Sequence, residues 1–170
     1  GELASKIAGE PQPPEEAAQL VETLSRAMHF AHERNTIHRD LNPANVLPTK
    51  HGQPKITDFG LAKRLEDDAG QTASGSIMGT PSFMAPEQAG GHQAQIGPQT
   101  DIYALGALLY CMLTGRPPFQ SANVMDTVLQ VLEQDPVPPH QLVKGLDKNL
   151  ETITLKCLQK DPARRYQAAE

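Results

Sequence analysis

Residues 102–113 read Ile-Tyr-Ala-Leu-Gly-Ala-Leu-Leu-Tyr-Cys-Met-Leu, a run without a single charged side chain. A surface helix carries one apolar stripe, whereas a helix that is apolar all round must be covered on every side. The run is too short for a bilayer, whose core asks for about 20 apolar residues. It therefore predicts a central core helix around which the rest of the chain has to pack. Thr100 or Asp101 is expected near its N-terminal cap, and Thr114-Gly115-Arg116-Pro117-Pro118 stops it.

The covering elements can be read from periodicity. Residues 14–34 show Ala17, Leu20, Val21, Leu24, Ala27, Met28 and Ala31 at helical spacing. Pro14 suits a first helical turn, and Glu15 and Glu16 complement the positive end of the dipole. A short helix is expected over residues 2–8, ended by Gly9 and Pro11. Three short extended pieces follow at 36–38, 46–47 and 55–57. The last two flank the turn-like Lys50-His51-Gly52-Gln53, so they predict a small β-hairpin, with Pro48 at an edge or strand end. Residues 61–100 carry little periodicity and are expected to form a long exposed segment. A helix capped by Ser121 is expected to turn Val124, Met125, Val128, Leu129 and Leu132 inward. A last helix is expected over 147–158, through Leu150, Ile153, Cys157 and Leu158. The fold class is α+β, mainly helical with one small hairpin.

Composition narrows the function. The chain has 170 residues, and 15 basic against 20 acidic residues leave a net charge of −5, with no basic patch to suggest nucleic acid. Two cysteines, Cys111 and Cys157, make no disulfide framework and fit a reducing, cytoplasmic setting. No signal peptide or membrane-contacting segment is expected. His29 and His32 lie three apart on a helix but have no partnering ligands, so they read as ordinary helix residues, not a metal site.

The chemistry is concentrated in residues 38–45, His38-Arg39-Asp40-Leu41-Asn42-Pro43-Ala44-Asn45. They match the H-R-D-L-x-x-x-N catalytic loop of protein kinases position for position. Asp58-Phe59-Gly60 follows the second predicted strand of the hairpin. Gly79-Thr80-Pro81-Ser82-Phe83-Met84 and Ala85-Pro86-Glu87 come later, in the order that a kinase activation segment (58–87) requires. Phosphoryl transfer needs positioning and charge neutralisation more than covalent chemistry. A carboxylate must accept the proton of the incoming hydroxyl, a place that Asp40 takes. Asn45 and Asp58 offer the hard oxygen donors that magnesium prefers.

On these motifs the chain resembles the C-terminal lobe of Ser/Thr protein kinases, and the run from Gly79 to Ala89 looks most like bacterial kinases of the Hanks type. Lys160-Asp161-Pro162-Ala163-Arg164-Arg165-Tyr166 points the same way. The resemblance covers residues 1–170. It implies ATP and Mg2+ as cofactors, protein substrates with Ser or Thr hydroxyls, and an N-terminal lobe that lies outside this chain, which opens on Gly1. It implies that Leu47 lies under the adenine ring and that Thr80 bridges Asp40 and the substrate hydroxyl. His38 and Phe59 would stack, Asp101 would anchor the catalytic-loop backbone, and Glu87 would pair with Arg165. Arg39 would meet a phosphorylated activation segment, with Thr72 and Ser74, and then Ser76, as candidate acceptors.

Two departures stand out. Asn42 occupies the place where Ser/Thr kinases carry a lysine that contacts the transferred phosphate. Loss of that charge implies weaker transition-state binding, by analogy with single oxyanion donors worth roughly 3–4 kcal/mol. The chain also holds no glycine-rich loop or strand lysine before the catalytic loop, so the fragment alone is expected to be inactive. The alternative reading is a pseudokinase or lobe that serves as a protein-binding module.

Overall fold

The computed structural model describes residues 3–4, 7, 9–48, 53–59 and 81–169. Helix α1 spans Pro14–His32, strand β1 Val46–Pro48, strand β2 Pro54–Ile56, helix α2 Pro86–Ala89, helix α3 Pro98–Thr114, helix α4 Val124–Glu133 and helix α5 Lys148–Cys157. Short 3-10 turns at Pro43–Asn45, Pro81–Phe83, Gln93–Gln95, Pro139–Gln141 and Pro162–Arg164 join them. Among the described residues the lobe is α+β as expected, with helices around α3 and one two-stranded antiparallel sheet.

Helix α3 is buried from Thr100 to Leu113 without interruption. It lies between α1 and α5. Helix α1 turns Ala17, Leu24 and Met28 into the core, which is the apolar stripe that its sequence carries. Gly106 makes the contact with α5 possible: a Cβ at this position would collide with the Cβ of Cys157. Gly115 ends α3 in the left-handed conformation at φ 74°, where a side chain would also press on the backbone of Glu10 and Pro11. The Gln12 N–H donates to the Met112 carbonyl at 2.7 Å and closes the segment before α1 onto the same helix end.

The hairpin pairs antiparallel, Val46 with Ile56, Leu47 with Lys55 and Pro48 with Pro54. Pro48 sits at the strand end, where its missing N–H does no harm. No helix among the described residues is long and apolar enough to cross a membrane.

Several boundaries differ from expectation. Helix α3 starts at Pro98, not Thr100, because the Thr100 hydroxyl reaches back to accept the Gly97 N–H at 3.1 Å. Helix α4 is capped by Asn123, whose side chain accepts the Met125 N–H at 2.9 Å; Ser121 instead gives its N–H to the Thr127 hydroxyl. The buried face of α4 is Thr127, Val128 and Val131, while Val124, Met125 and Leu129 are exposed. On α5, Ile153 is likewise exposed. Residues 36–38 form no strand. Residues 81–100 are not an exposed loop: Phe83, Ala85, Pro86 and Glu87 are buried, and two 3-10 turns and α2 fall within them. The remainder of the expected segment, 61–80, lies outside the described residues, as does most of the short helix expected over 2–8.

Candidate active site

The candidate catalytic loop, residues 38–45, lies between α1 and β1, and most of its polar groups are spent on holding its own shape. Asp40 is half-buried between two amides. Asn42 Nδ2 donates to the Asp40 carbonyl and to its Oδ1, both at 3.1 Å. Asn45 Nδ2 donates to the same carbonyl at 2.8 Å and to Oδ2 at 3.3 Å. The Asn42 side-chain Oδ1 accepts the Ala44 N–H at 2.9 Å and caps the Pro43–Asn45 turn. Pro43, at the first position of that turn, fits because its N–H would have had no partner.

Asn45 therefore uses its nitrogen on Asp40 and leaves its Oδ1 for a cation. Asp58 is exposed, and its Oδ2 accepts the Thr57 hydroxyl at 3.2 Å. The Thr57 N–H donates to the Asn45 carbonyl at 2.9 Å, which ties the segment bearing Asp58 to the loop bearing Asn45. Oxygen donors on these two linked segments, with no soft ligand, are the donor type that a hard divalent ion such as Mg2+ prefers. Leu47 stands 39% exposed on β1, an apolar surface beside these polar groups.

His38 is fully buried and links the loop to the second strand of the hairpin. Its Nε2 lies 2.7 Å from the Thr57 carbonyl, which can only accept, so the ring carries its hydrogen there. Nδ1 then accepts the Asp40 N–H at 3.3 Å. The Phe59 ring packs edge-on against His38, centroids 4.8 Å apart and planes at 71°. Two backbones in this region occupy the left-handed region that side chains avoid, Arg39 at φ 67° and Asp58 at φ 65°. Such conformations persist where the surroundings over-determine them, and they gather at functional sites.

The surroundings of Arg39 begin with Asp101 on α3. Asp101 is buried and accepts three donors: the His38 N–H and the Arg39 N–H, each at 2.9 Å, and His32 Nε2 at 2.8 Å. Three donors satisfy this buried carboxyl group, as a polar group out of water requires. His32, expected to be an ordinary helix residue, thus reaches the loop's anchor from the last turn of α1.

A second buried centre joins α2 to the end of the chain. Arg165 pairs with Glu87 through two bonds of 2.8 Å, and both residues are 2% exposed. All five guanidinium N–H groups find acceptors, because the carbonyls of Gln159, Gln99 and Lys160 take the other three. Glu87 also accepts the Thr100 hydroxyl at 2.8 Å.

The structure thus brings together His38, Arg39, Asp40, Asn42, Asn45, Asp58, Phe59 and Asp101, and separately Glu87 with Arg165. Thr72, Ser74, Ser76 and Thr80 lie outside the described residues. Besides His32, contributors that escaped the motif reading include Thr57, Thr100 and Gln88, whose Nε2 donates to the Arg39 carbonyl at 2.6 Å. Gln88 carried one local signal, its place as third residue after a Pro-led helix start, from which it accepts the Ala85 N–H at 3.1 Å.

Comparison with known proteins agrees with this geometry. The protein kinase domain model matches residues 1–170. The serine/threonine-protein kinase PknB of Mycobacterium leprae is 36% identical over 159 residues, 94% of this chain and 25% of that protein. PknB of Mycobacterium tuberculosis is 35% identical over 160 residues, and PknB of Mycolicibacterium smegmatis 36% over 160, with the same 94% and 25% coverage. The chain spans about a quarter of the length of these curated relatives. With its helical lobe built around a buried α3 and its catalytic loop hung from Asp101, the chain belongs to the protein kinase domain family, with relatives among bacterial serine/threonine kinases.

Proposed function

We propose that this chain is the helical, substrate-side lobe of a kinase that transfers the γ-phosphate of ATP to Ser or Thr hydroxyls of protein substrates. The observation that carries the reading is the division of labour in the Asn45 amide: its nitrogen holds the Asp40 carbonyl at 2.8 Å, which leaves its oxygen for a cation beside Asp58. In this reading Asp40 accepts the proton of the attacking hydroxyl, while Asn45 and Asp58 hold Mg2+, which when bound neutralises the phosphate charge. Leu47 supports the adenine ring, and Thr80 lies between Asp40 and the substrate hydroxyl. Arg39 meets a phosphorylated Thr72 or Ser74. The rest of the nucleotide site comes from the N-terminal lobe.

The test is expression of the chain with its upstream coding region, followed by γ-phosphate transfer to a generic basic protein. Asp40→Ala is expected to abolish transfer while nucleotide still binds; an unchanged rate removes Asp40 from the role of base.

A second reading, a pseudokinase that docks proteins without chemistry, is favoured by Asn42, which puts no cation where the transferred phosphate would pass. Mg2+-dependent nucleotide binding without transfer, in a protein whose Asp40→Ala variant behaves identically, is the outcome that supports it.

A further inference from the structure

We propose that Gln88 is a positioning residue that relays the placement of segment 81–88 to Asp40. The inference rests on the phosphotransfer reading above and adds a regulatory connection to the same site. One planar amide makes the link. Its Oε1 accepts the Ala85 N–H at 3.1 Å, at the start of α2, and its Nε2 donates to the Arg39 carbonyl at 2.6 Å, 49 residues away.

The bond falls where it controls direction. Arg39 is held at φ 67°, and its two peptide groups are gripped from opposite elements: the N–H by Asp101 on α3, the carbonyl by Gln88 on α2. The peptide that Gln88 grips is the one that leads into Asp40, and its N–H is received by His38 Nδ1. Rotation of that peptide re-aims the Asp40 carboxylate. The cleft between the two elements, lined by Arg39, Asp40, Phe83, Met84 and Gln88, holds about 10 Å³. That is about the space that one water needs, roughly 10–15 Å³, so the cleft beside the amide has room for little more than a single water. When the substrate-side segment is seated, Gln88 fixes the loop; when it shifts, the strained Arg39 conformation loses the support on its carbonyl.

The experiment compares wild type, Gln88→Glu and Gln88→Leu in the full-length protein that contains this chain, by amide hydrogen exchange. Gln88→Glu keeps an acceptor for the Ala85 N–H but turns an oxygen toward the Arg39 carbonyl, whereas Gln88→Leu removes both bonds. Both variants are expected to speed exchange at Arg39 and Asp40 by about tenfold or more, with α3 and α5 unchanged. Only Gln88→Leu is expected to speed exchange at Ala85. In phosphotransfer, both are expected to lower kcat about tenfold while KM for nucleotide stays within about twofold. Wild-type exchange at Arg39 and Asp40 in Gln88→Glu overturns the proposal, as does faster exchange with unchanged kcat. If the wild type transfers no phosphate, the phosphotransfer reading fails, while the exchange data still decide the link.

Discussion

Asn42 donates its side-chain N–H to Oδ1 of Asp40 at 3.1 Å, and its own side-chain oxygen accepts the Ala44 N–H at 2.9 Å. Read from sequence, the residue is a lysine lost. In the fold it is a strut of the catalytic loop, 6% exposed and directed back at the carboxylate.

Substituting the usual lysine should therefore not restore a faster enzyme. Asn42→Lys removes the bonds to Asp40 and the cap of the Pro43–Asn45 turn, each worth about 0.5–1.5 kcal/mol. Asn42→Asp keeps the cap but sets a second carboxylate beside Asp40. We expect both variants to lower kcat by about tenfold or more, a barrier rise of ~1.4 kcal/mol. Steady-state phosphotransfer by the complete kinase domain checks this, and a tenfold gain in Asn42→Lys would contradict it.

The Glu87–Arg165 pair predicts an asymmetric mutational cycle. Arg165→Met leaves a buried carboxylate without its cation and should cost about 3–5 kcal/mol, whereas pairing it with Glu87→Leu should recover part of that loss. Urea denaturation of the domain reads both. A single-variant loss below about 1 kcal/mol would show that Thr100 alone can satisfy Glu87.

Packing of α3 on α5 depends on the missing side chain at Gly106. Gly106→Ala should cost about 1–3 kcal/mol through overpacking against Cys157. Cys157→Ala should not relieve the strain, because its Cβ remains, whereas Cys157→Gly should. Thermal unfolding of the single and double variants separates the two outcomes.

Alkaline pH should destabilise the lobe through its thiols. Burial pushes Cys111 up to about 11 and Cys157 up to about 12 from an ordinary value of 9.0. The unfolded chain then releases these protons first, so stability falls as pH rises from about 9 toward 12. Lys160 works in the opposite sense. Burial draws it down to about 8, so between about 8 and 10.5 the unfolded state binds more protons and stability rises. Cys157→Ala should make the alkaline decline shallower and Lys160→Met should make it steeper, as measured by chemical denaturation across pH 8–11.

Legibility followed the range of the physics. Helix α3 was evident because an uncharged run of three turns has one stable environment, and α1 because its stripe repeats at 3.6 residues. The inner face of α4 was legible at Val128 but not at Val124, Met125 and Leu129, which are exposed, because the helix is apolar on two sides. Val128 and Val131, with Thr127, pack toward the Pro81–Phe83 turn and α2, and nothing local distinguishes them from Val124, Met125 and Leu129. Cap positions slipped by two residues at α4, where Asn123 caps in place of Ser121, and by three at α3, where Gly97 stands at the cap and the Thr100 hydroxyl reaches back to it. The segment 81–100 looked exposed because its polar composition hides Glu87, a charge that is buried only because Arg165 meets it.

The amino-acid order alone set out Asp40, Asn45 and Asp58 at the spacing of the protein kinase motifs, near a helix that had to be central. Only the tertiary structure decided what those groups do to one another. Asp101 reaches His38 across 63 residues, Gln88 reaches Arg39 across 49, and Arg165 reaches Glu87 across 78. Periodicity and capping speak for neighbours three or four positions apart, whereas these bonds exist because packed helices bring distant backbone and charge together.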